Sequence, residues 1–330
     1  MCIEQPVSAM FTLYLERSNL RPASVDFKER ACKFFIRWFG DPPVGRVLPA
    51  TAQSYRAMLG KGRKQTTVQG YLSVFKPFWR WMRANDYIHS DPFAFVSIRV
   101  DEQQRREGFS HTDLSLMMMV ANPMQRLQIC LGLLGCRKGE MFNMQVRDVR
   151  LDHPKPHIIL TAKDASKKTW PWGTKNHKTG LIAIPPVMRF ESMDFDLAEA
   201  IRERMAELRQ EPEGYLCIPQ RYVDRLLGLQ AQGLLRWAQI KDPMGNFSRS
   251  FRELQKRAGM KEPNRFHELR AAFITAMIDA NVPLARIAKA ARHARIQQTM
   301  KYDRKTDLSI VSDVSQVMEN AFASYPSKDS

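Results

Sequence analysis

The sequence predicts a mainly helical protein of two domains with a small β-sheet, and three observations carry that expectation. The chain has 330 residues, and at roughly 150 residues per domain that is enough for two cores. Apolar residues recur at helical spacing through residues 1–100, and again from Phe195 to Leu208 and onward to the end. Between these stretches, His157 to Thr161 and Leu181 to Ile184 are short enough and apolar enough to read as strands.

In residues 1–100, Phe27, Ala31, Phe34, Phe35 and Trp38 mark one helix, and Val68, Tyr71, Leu72, Phe75, Trp79 and Met82 another. Met10 to Leu15 and Tyr55 to Leu59 mark two shorter ones, so a bundle of about four helices is expected. Pro77 inside the last should bend or break it, because proline lacks the N–H that the helix needs. Phe34, Phe35, Trp38, Phe78, Trp79 and Trp81 read as core in preference to platforms for stacked bases. Residues 101–108 hold no large apolar side chain and form the expected linker. The second domain, 109–330, has helical patterns at Leu114 to Val120 and Leu127 to Leu134, then the two strands. Its last apolar stripe, Ile310, Val311, Val314, Val317, Met318 and Ala321, predicts an amphipathic helix over about 309–323.

Lysine and arginine number 51 against 34 acidic residues, a net charge of +17 spread over the whole chain. Such a balance points to a polyanionic partner, here nucleic acid, and not to the short polybasic tail of a membrane-surface protein. The five cysteines (Cys2, Cys32, Cys130, Cys136 and Cys217) are odd in number and widely spaced, so they read as reduced core thiols. Met1 to Pro6 lacks the features of a signal peptide, and the apolar run Ile129 to Cys136 is too short to span a bilayer, so a cytoplasmic location is the default expectation. His153, His157 and His177 lack close cysteine or carboxylate partners, and no metal is expected.

The residues with chemical potential lie mostly near the end. His267 and Arg270 fall one above the other on a helix and would point two donors at one phosphate from a half-buried position, unless they simply form a solvated helix start. Ala291-Arg292-His293 follows, then Tyr302, within a segment from Arg286 to Lys305 that has seven basic residues and one Asp. That tyrosine reads as a poor core residue, either set against phosphate or exposed on a basic helix. Upstream, Gly135-Cys136-Arg137-Lys138-Gly139-Glu140 places an arginine three residues before a glutamate that would orient it or bury it in an ion pair. Lys178-Thr179-Gly180 leads into Leu181-Ile182-Ala183-Ile184-Pro185, which suits a lysine presented from a β-hairpin. Lys61-Gly62-Arg63-Lys64-Gln65-Thr66-Thr67 opens a helix, where basic and hydroxyl groups suit phosphate.

Taken in this order, the set resembles the tyrosine recombinase family, to which phage integrases and the Xer proteins belong. The resemblance covers nearly the whole chain and implies a helical core-binding domain followed by a tyrosine-recombinase catalytic domain. It implies phosphate-binding roles for Arg137, Arg270 and His293, a proton acceptor or phosphate donor in His267, Lys178 as general acid and Tyr302 as nucleophile. Lys61, Arg63, Lys64, Thr66 and Thr67 would lie along DNA. In two places the chain departs from the pattern. Arg292 stands where the family usually has glycine, and the interval from Arg137 to Lys178 is long, with His153 to Trp172 reading as an enlarged hairpin. Lys163 and Lys175 are therefore rival candidates for the lysine.

The implied function is site-specific recombination by a mobile element's integrase, with a type IB topoisomerase-like relaxing activity and a non-catalytic DNA-binding role as alternatives. The implied partners are double-stranded DNA with paired half-sites, further copies of the chain (a dimer on a site, a tetramer in synapsis) and accessory DNA-bending proteins. No Gly-rich phosphate loop or clustered acidic set is present in the sequence, so neither nucleotide nor metal is expected as cofactor.

Overall fold

A computed structural model of the chain describes residues 4–20, 22–99, 108–173 and 179–302. Cys2, most of the expected linker, Lys175, His177, Lys178 and the amphipathic stripe at about 309–323 lie outside the described residues. The chain divides into two compact units, Met1–Arg106 and Glu107–Ser330. It is mainly helical, with two small antiparallel sheets.

The first unit packs four helices, α1 (Val7–Glu16), α2 (Pro22–Phe39), α3 (Pro49–Gly60) and α4 (Gln65–Ala84). Phe11, Phe35, Tyr55, Phe75, Phe78 and Trp79 meet at its centre. Phe34, Trp38 and Trp81 pack at the edge of the same cluster. Helix α4 runs through Pro77 without the expected break. Pro77 and Ser73 are both exposed, so water can take the place of the N–H that proline withholds.

The second unit begins with α5 (His111–Val120) and α6 (Pro123–Leu133). Each starts with a reciprocal cap: Ser110 with Asp113, and Asn122 with Gln125. After the short α7 (Lys138–Phe142) come β1 (Val149–Arg150), β2 (His157–Leu160) and β3 (Gly180–Ala183), an antiparallel sheet with Ile158 opposite Ile182. The segment between β2 and β3 is held down at two points. Lys163 pairs across to Trp172, and the Trp170 ring stacks on Tyr215 with centroids 3.9 Å apart. Trp170 Nε1 also donates to Asn143 at 2.8 Å, so the indole is buried with its one polar atom satisfied.

A second small sheet, β4 (Met188–Arg189) with β5 (Asp194–Phe195), was not expected from the sequence. It takes up Phe195, which the periodicity assigned to a helix. The helix α8 (Leu197–Glu207) starts later because the Asp196 carboxylate accepts the Glu199 N–H at 2.8 Å and fixes the N-terminus there. Helices α9 (Gln220–Ala231), α10 (Trp237–Lys241), α11 (Phe247–Arg257), α12 (His267–Asp279), α13 (Leu284–Ala290) and α14 (Gln297–Met300) complete the described fold. Among the described residues no helix is long and apolar enough to cross a membrane.

Candidate active site

The site is built where three helix ends meet. Helix α6 ends with Gly135 at φ 80°, a left-handed position at which the Cys136 N–H bonds back to the Leu131 carbonyl. A Cβ at Gly135 would also come within 2.8 Å of the Phe273 ring, so both backbone and space require glycine. This turn delivers Arg137 to the start of α7. Glu140, one turn on, reaches back: Oε2 accepts the Arg137 N–H at 2.9 Å and Oε1 accepts Nη1 at 2.6 Å. Burial pushes the Glu140 carboxyl up, but Arg292 and then Arg137 outweigh it and hold it below the usual glutamate range.

Helix α12 carries His267 at its exposed first turn and Arg270 inside the protein. Arg270 is only 1% exposed, not half-buried as its spacing from His267 suggested. Its Nη1 donates to the carbonyl of Gly135, after α6, and its Nη2 to that of Ala291, after α13. Burial first, then the neighbouring Arg137 and Arg292, push its pKa down to about 10, so it stays cationic at neutral pH.

Helix α13 is closed two residues beyond its last turn by Arg292, whose φ of 53° is left-handed. The Arg292 N–H bonds to Lys289 and that of His293 to Ala288, the pattern that usually places glycine here. Holding an arginine in this conformation costs roughly 1–2 kcal/mol. The turn presents its carbonyls inward: Ala291 to Arg270, as above, and Arg292 to Arg137 Nη2 at 3.1 Å. Beyond it, His293 Nδ1 lies 2.8 Å from the Thr299 hydroxyl, and the His293 ring faces that of Tyr302 with centroids 6.2 Å apart.

Tyr302 is buried, 7% exposed, against Ile274, Ile278, Ile287 and Ala291. The sequence pointed the other way, because its neighbours are basic. The α14 turn leaves Met300 and Lys301 in solvent and tucks the next ring under α12 and α13. Arg137 and Arg292 push the Arg270 pKa down and Glu140 pushes it up, so these four groups act on one another. Three guanidiniums around one carboxylate leave a positive excess beside a buried phenol.

Of the lysine candidates, Lys163 is described. It is buried, and its Nζ donates to both carboxylate oxygens of Asp148 at 2.7 Å. Burial holds its pKa below the usual lysine value despite that partner. In the first unit, Lys61, Lys64, Thr66 and Thr67 are exposed around the start of α4, and Lys64 is its N-cap. Arg63 is half-buried, with its guanidinium 4.8 Å from the centroid of the Phe34 ring. His153 and His157 stand edge to face with both Nδ1 atoms near the Lys155 carbonyl, and among the described residues no three potential metal ligands are grouped.

The fold is that of tyrosine recombinase catalytic domains. It matches an integrase of the Tn1549 transposon in complex with transposon right end DNA, with a TM-score of 0.69, 14% identity and coverage of 95% of this chain and 100% of that one. It also matches a lambda integrase dimer bound to a COC′ core site, with a TM-score of 0.64, 14% identity and coverage of 92% and 79% respectively. No curated protein sequence matches the chain. The model of the phage integrase family matches residues 114–308, a span that takes in the arginine cluster, His293 and Tyr302. The chain belongs to the phage integrase family. It is a site-specific recombinase, an enzyme that breaks and rejoins DNA strands, and neither the topoisomerase-like nor the non-catalytic alternative is favoured.

Proposed function

We propose that the chain recombines double-stranded DNA at paired half-sites through a 3′-phosphotyrosyl link to Tyr302. The observation that carries this reading is the cluster of Arg137, Arg270 and Arg292 around the single Glu140 carboxylate, beside Tyr302. Attack of the Tyr302 Oη on phosphorus builds negative charge on the non-bridging oxygens. Arg137 presents a charged fork to those oxygens, Arg270 adds its positive charge from its buried place on the Gly135 and Ala291 carbonyls, and His293 adds a donor. His267 accepts the phenol proton or holds a phosphate oxygen. The P–O5′ bond breaks as the P–O bond to Tyr302 forms, and the leaving oxygen takes a proton from a hairpin lysine. Lys163 is committed to Asp148, which favours Lys178 over it, with Lys175 as the remaining rival. The phosphodiester energy is kept in the adduct, so rejoining needs no nucleotide.

The DNA-bound solved structures similar in fold support a DNA partner, with Lys61, Arg63, Lys64, Thr66 and Thr67 as contacts at the α4 N-terminus. The dimeric lambda integrase and the lambda integrase tetramer on a Holliday junction support assembly of this chain as a dimer on a site and a tetramer in synapsis. We place it in the cytoplasm with the nucleoid, as the integrase of a mobile element aided by DNA-bending proteins.

Tyr302→Phe on a nicked suicide substrate tests the central step. The variant should bind a half-site normally and form no covalent adduct, while the native protein forms adduct fully in EDTA without nucleotide. An adduct at native yield from Tyr302→Phe removes the nucleophile assignment. Native protein that binds the full site no more cooperatively than two separate half-sites removes the assembly.

A further inference from the structure

The side chain of Arg292 reaches two segments that are remote from it in sequence. Its Nη2 donates to the Gly135 carbonyl at 2.6 Å and to Glu140 Oε2 at 2.8 Å. Its stem lies against Gly180, where an added Cβ would overlap Cδ. The Glu140 carboxylate is thereby shared, with Oε1 on the Arg137 guanidinium and Oε2 on that of Arg292. An arginine and a carboxylate left to themselves prefer a two-pronged fork. Without the Arg292 side chain, Oε2 keeps only the Arg137 backbone N–H and is open to a second guanidinium N–H of Arg137, and the fork that forms draws that guanidinium onto Glu140.

We propose that Arg292 is a positioning residue for strand cleavage: it occupies Glu140 Oε2, confines Glu140 to one contact with the Arg137 guanidinium, and so leaves for a phosphate the N–H groups that neither Glu140 nor the Arg292 carbonyl holds. The proposal rests on Arg137 as a phosphate ligand. It also explains why an arginine stands at a left-handed position that glycine would occupy without strain. The side chain supplies contacts that glycine cannot.

Two variants reach Arg292 by different routes. Arg292→Gly keeps the turn and removes the side chain, whereas Gly180→Ala keeps the side chain and displaces its stem. In single-turnover adduct formation at saturating DNA, the amplitude reports the competent fraction and the rate constant reports the site. Each variant is expected to keep its amplitude and half-site affinity while its rate constant falls roughly tenfold to a hundredfold, the range a small misplacement produces. Because Gly180→Ala acts through Arg292, the double variant should be no slower than Arg292→Gly alone. A substrate with a neutral methylphosphonate at the scissile position builds less negative charge and needs less guanidinium. On it, the deficits of Arg292→Gly and of Arg137→Ala should both shrink.

A loss of amplitude at an unchanged rate constant, additive effects in the double variant, or an equal deficit on both substrates overturns the proposal. If Arg292→Gly does not fold, Gly180→Ala on the two substrates decides alone. Arg137→Ala separates the two levels of inference. At the native rate it removes Arg137 from the phosphate and the proposal with it. If it is slow while Arg292→Gly is native-like, only the proposal for Arg292 fails.

Discussion

Replacing Glu140 with glutamine removes one negative charge from the site and leaves its shape unchanged. The native carboxylate accepts from Arg137 Nη1 at 2.6 Å, from the Arg137 N–H at 2.9 Å and from Arg292 Nη2 at 2.8 Å. An amide accepts at one position only, and at the other it turns its own N–H toward a donor. Breaking a buried ion pair costs about 3–5 kcal/mol. The Arg137 and Arg292 side chains are 26% and 13% exposed, so water recovers part of the loss. The expected destabilisation is about 2–4 kcal/mol at neutral pH. The dependence on pH carries a sign. A carboxyl held below its ordinary value stabilises the fold above the unfolded-state pKa, and that stability is lost as pH falls through the folded-state value. Urea midpoints for the native and glutamine proteins should therefore differ most at pH 7 and converge below about pH 4. Equal midpoints at pH 7, or a gap that stays constant into acid, would refute the shared-carboxylate account.

Gly135→Ala adds left-handed strain of roughly 1–2 kcal/mol and a methyl group against Phe273, so a loss of about 2–4 kcal/mol in urea unfolding is expected. Phe273→Leu in the same chain should restore part of it, and purely additive losses would remove Phe273 as the cause. Lys163→Met leaves the Asp148 carboxylate buried without its partner and should cost about 3–5 kcal/mol of stability, while the folded fraction still forms adduct at the native rate. For the leaving-group proton, a 5′-phosphorothiolate substrate, which hardly needs one, should rescue Lys178→Ala. Rescue of Lys163→Ala or Lys175→Ala in its place moves the general acid to that residue.

Local relationships were legible in the sequence. Arg137 and Glu140 are three residues apart, and the helix turn alone brings them together; Gly135 announces the helix end before them. The enlarged β2–β3 segment was visible as excess length, but not the stacking of Trp170 on Tyr215, which joins residues 45 apart in the chain. The two-residue strands β4 and β5 are too short to show alternation. Tyr302 misled for a physical reason: the charges of Lys301 and its neighbours report on the solvent side of a turn, while the ring points to the other side. Arg270 likewise showed its helical partner, His267, but not the two carbonyls that bury it. Arg292 stood out only as a departure from a pattern. Its partner Glu140 lies 152 residues away, and nothing near Arg292 in the sequence signals it.

The left-handed turn at the end of α13 ties the two halves of the chemistry into one mechanical part. Consecutive carbonyls, those of Ala291 and Arg292, accept from Arg270 and Arg137, and the same stretch of chain continues through His293 to Tyr302. Tyr302, the proposed nucleophile, and Arg137 and Arg270, the proposed phosphate ligands, therefore share a mount. Any displacement of the turn that carries Tyr302 away also takes acceptors from both guanidiniums, each such charged hydrogen bond being worth about 1.5–3 kcal/mol. A tyrosine out of place beside intact arginines is thus an expensive state, and the site behaves as a logical AND. In an enzyme that breaks and rejoins DNA strands, that coupling disfavours a centre with only one of the two parts in place.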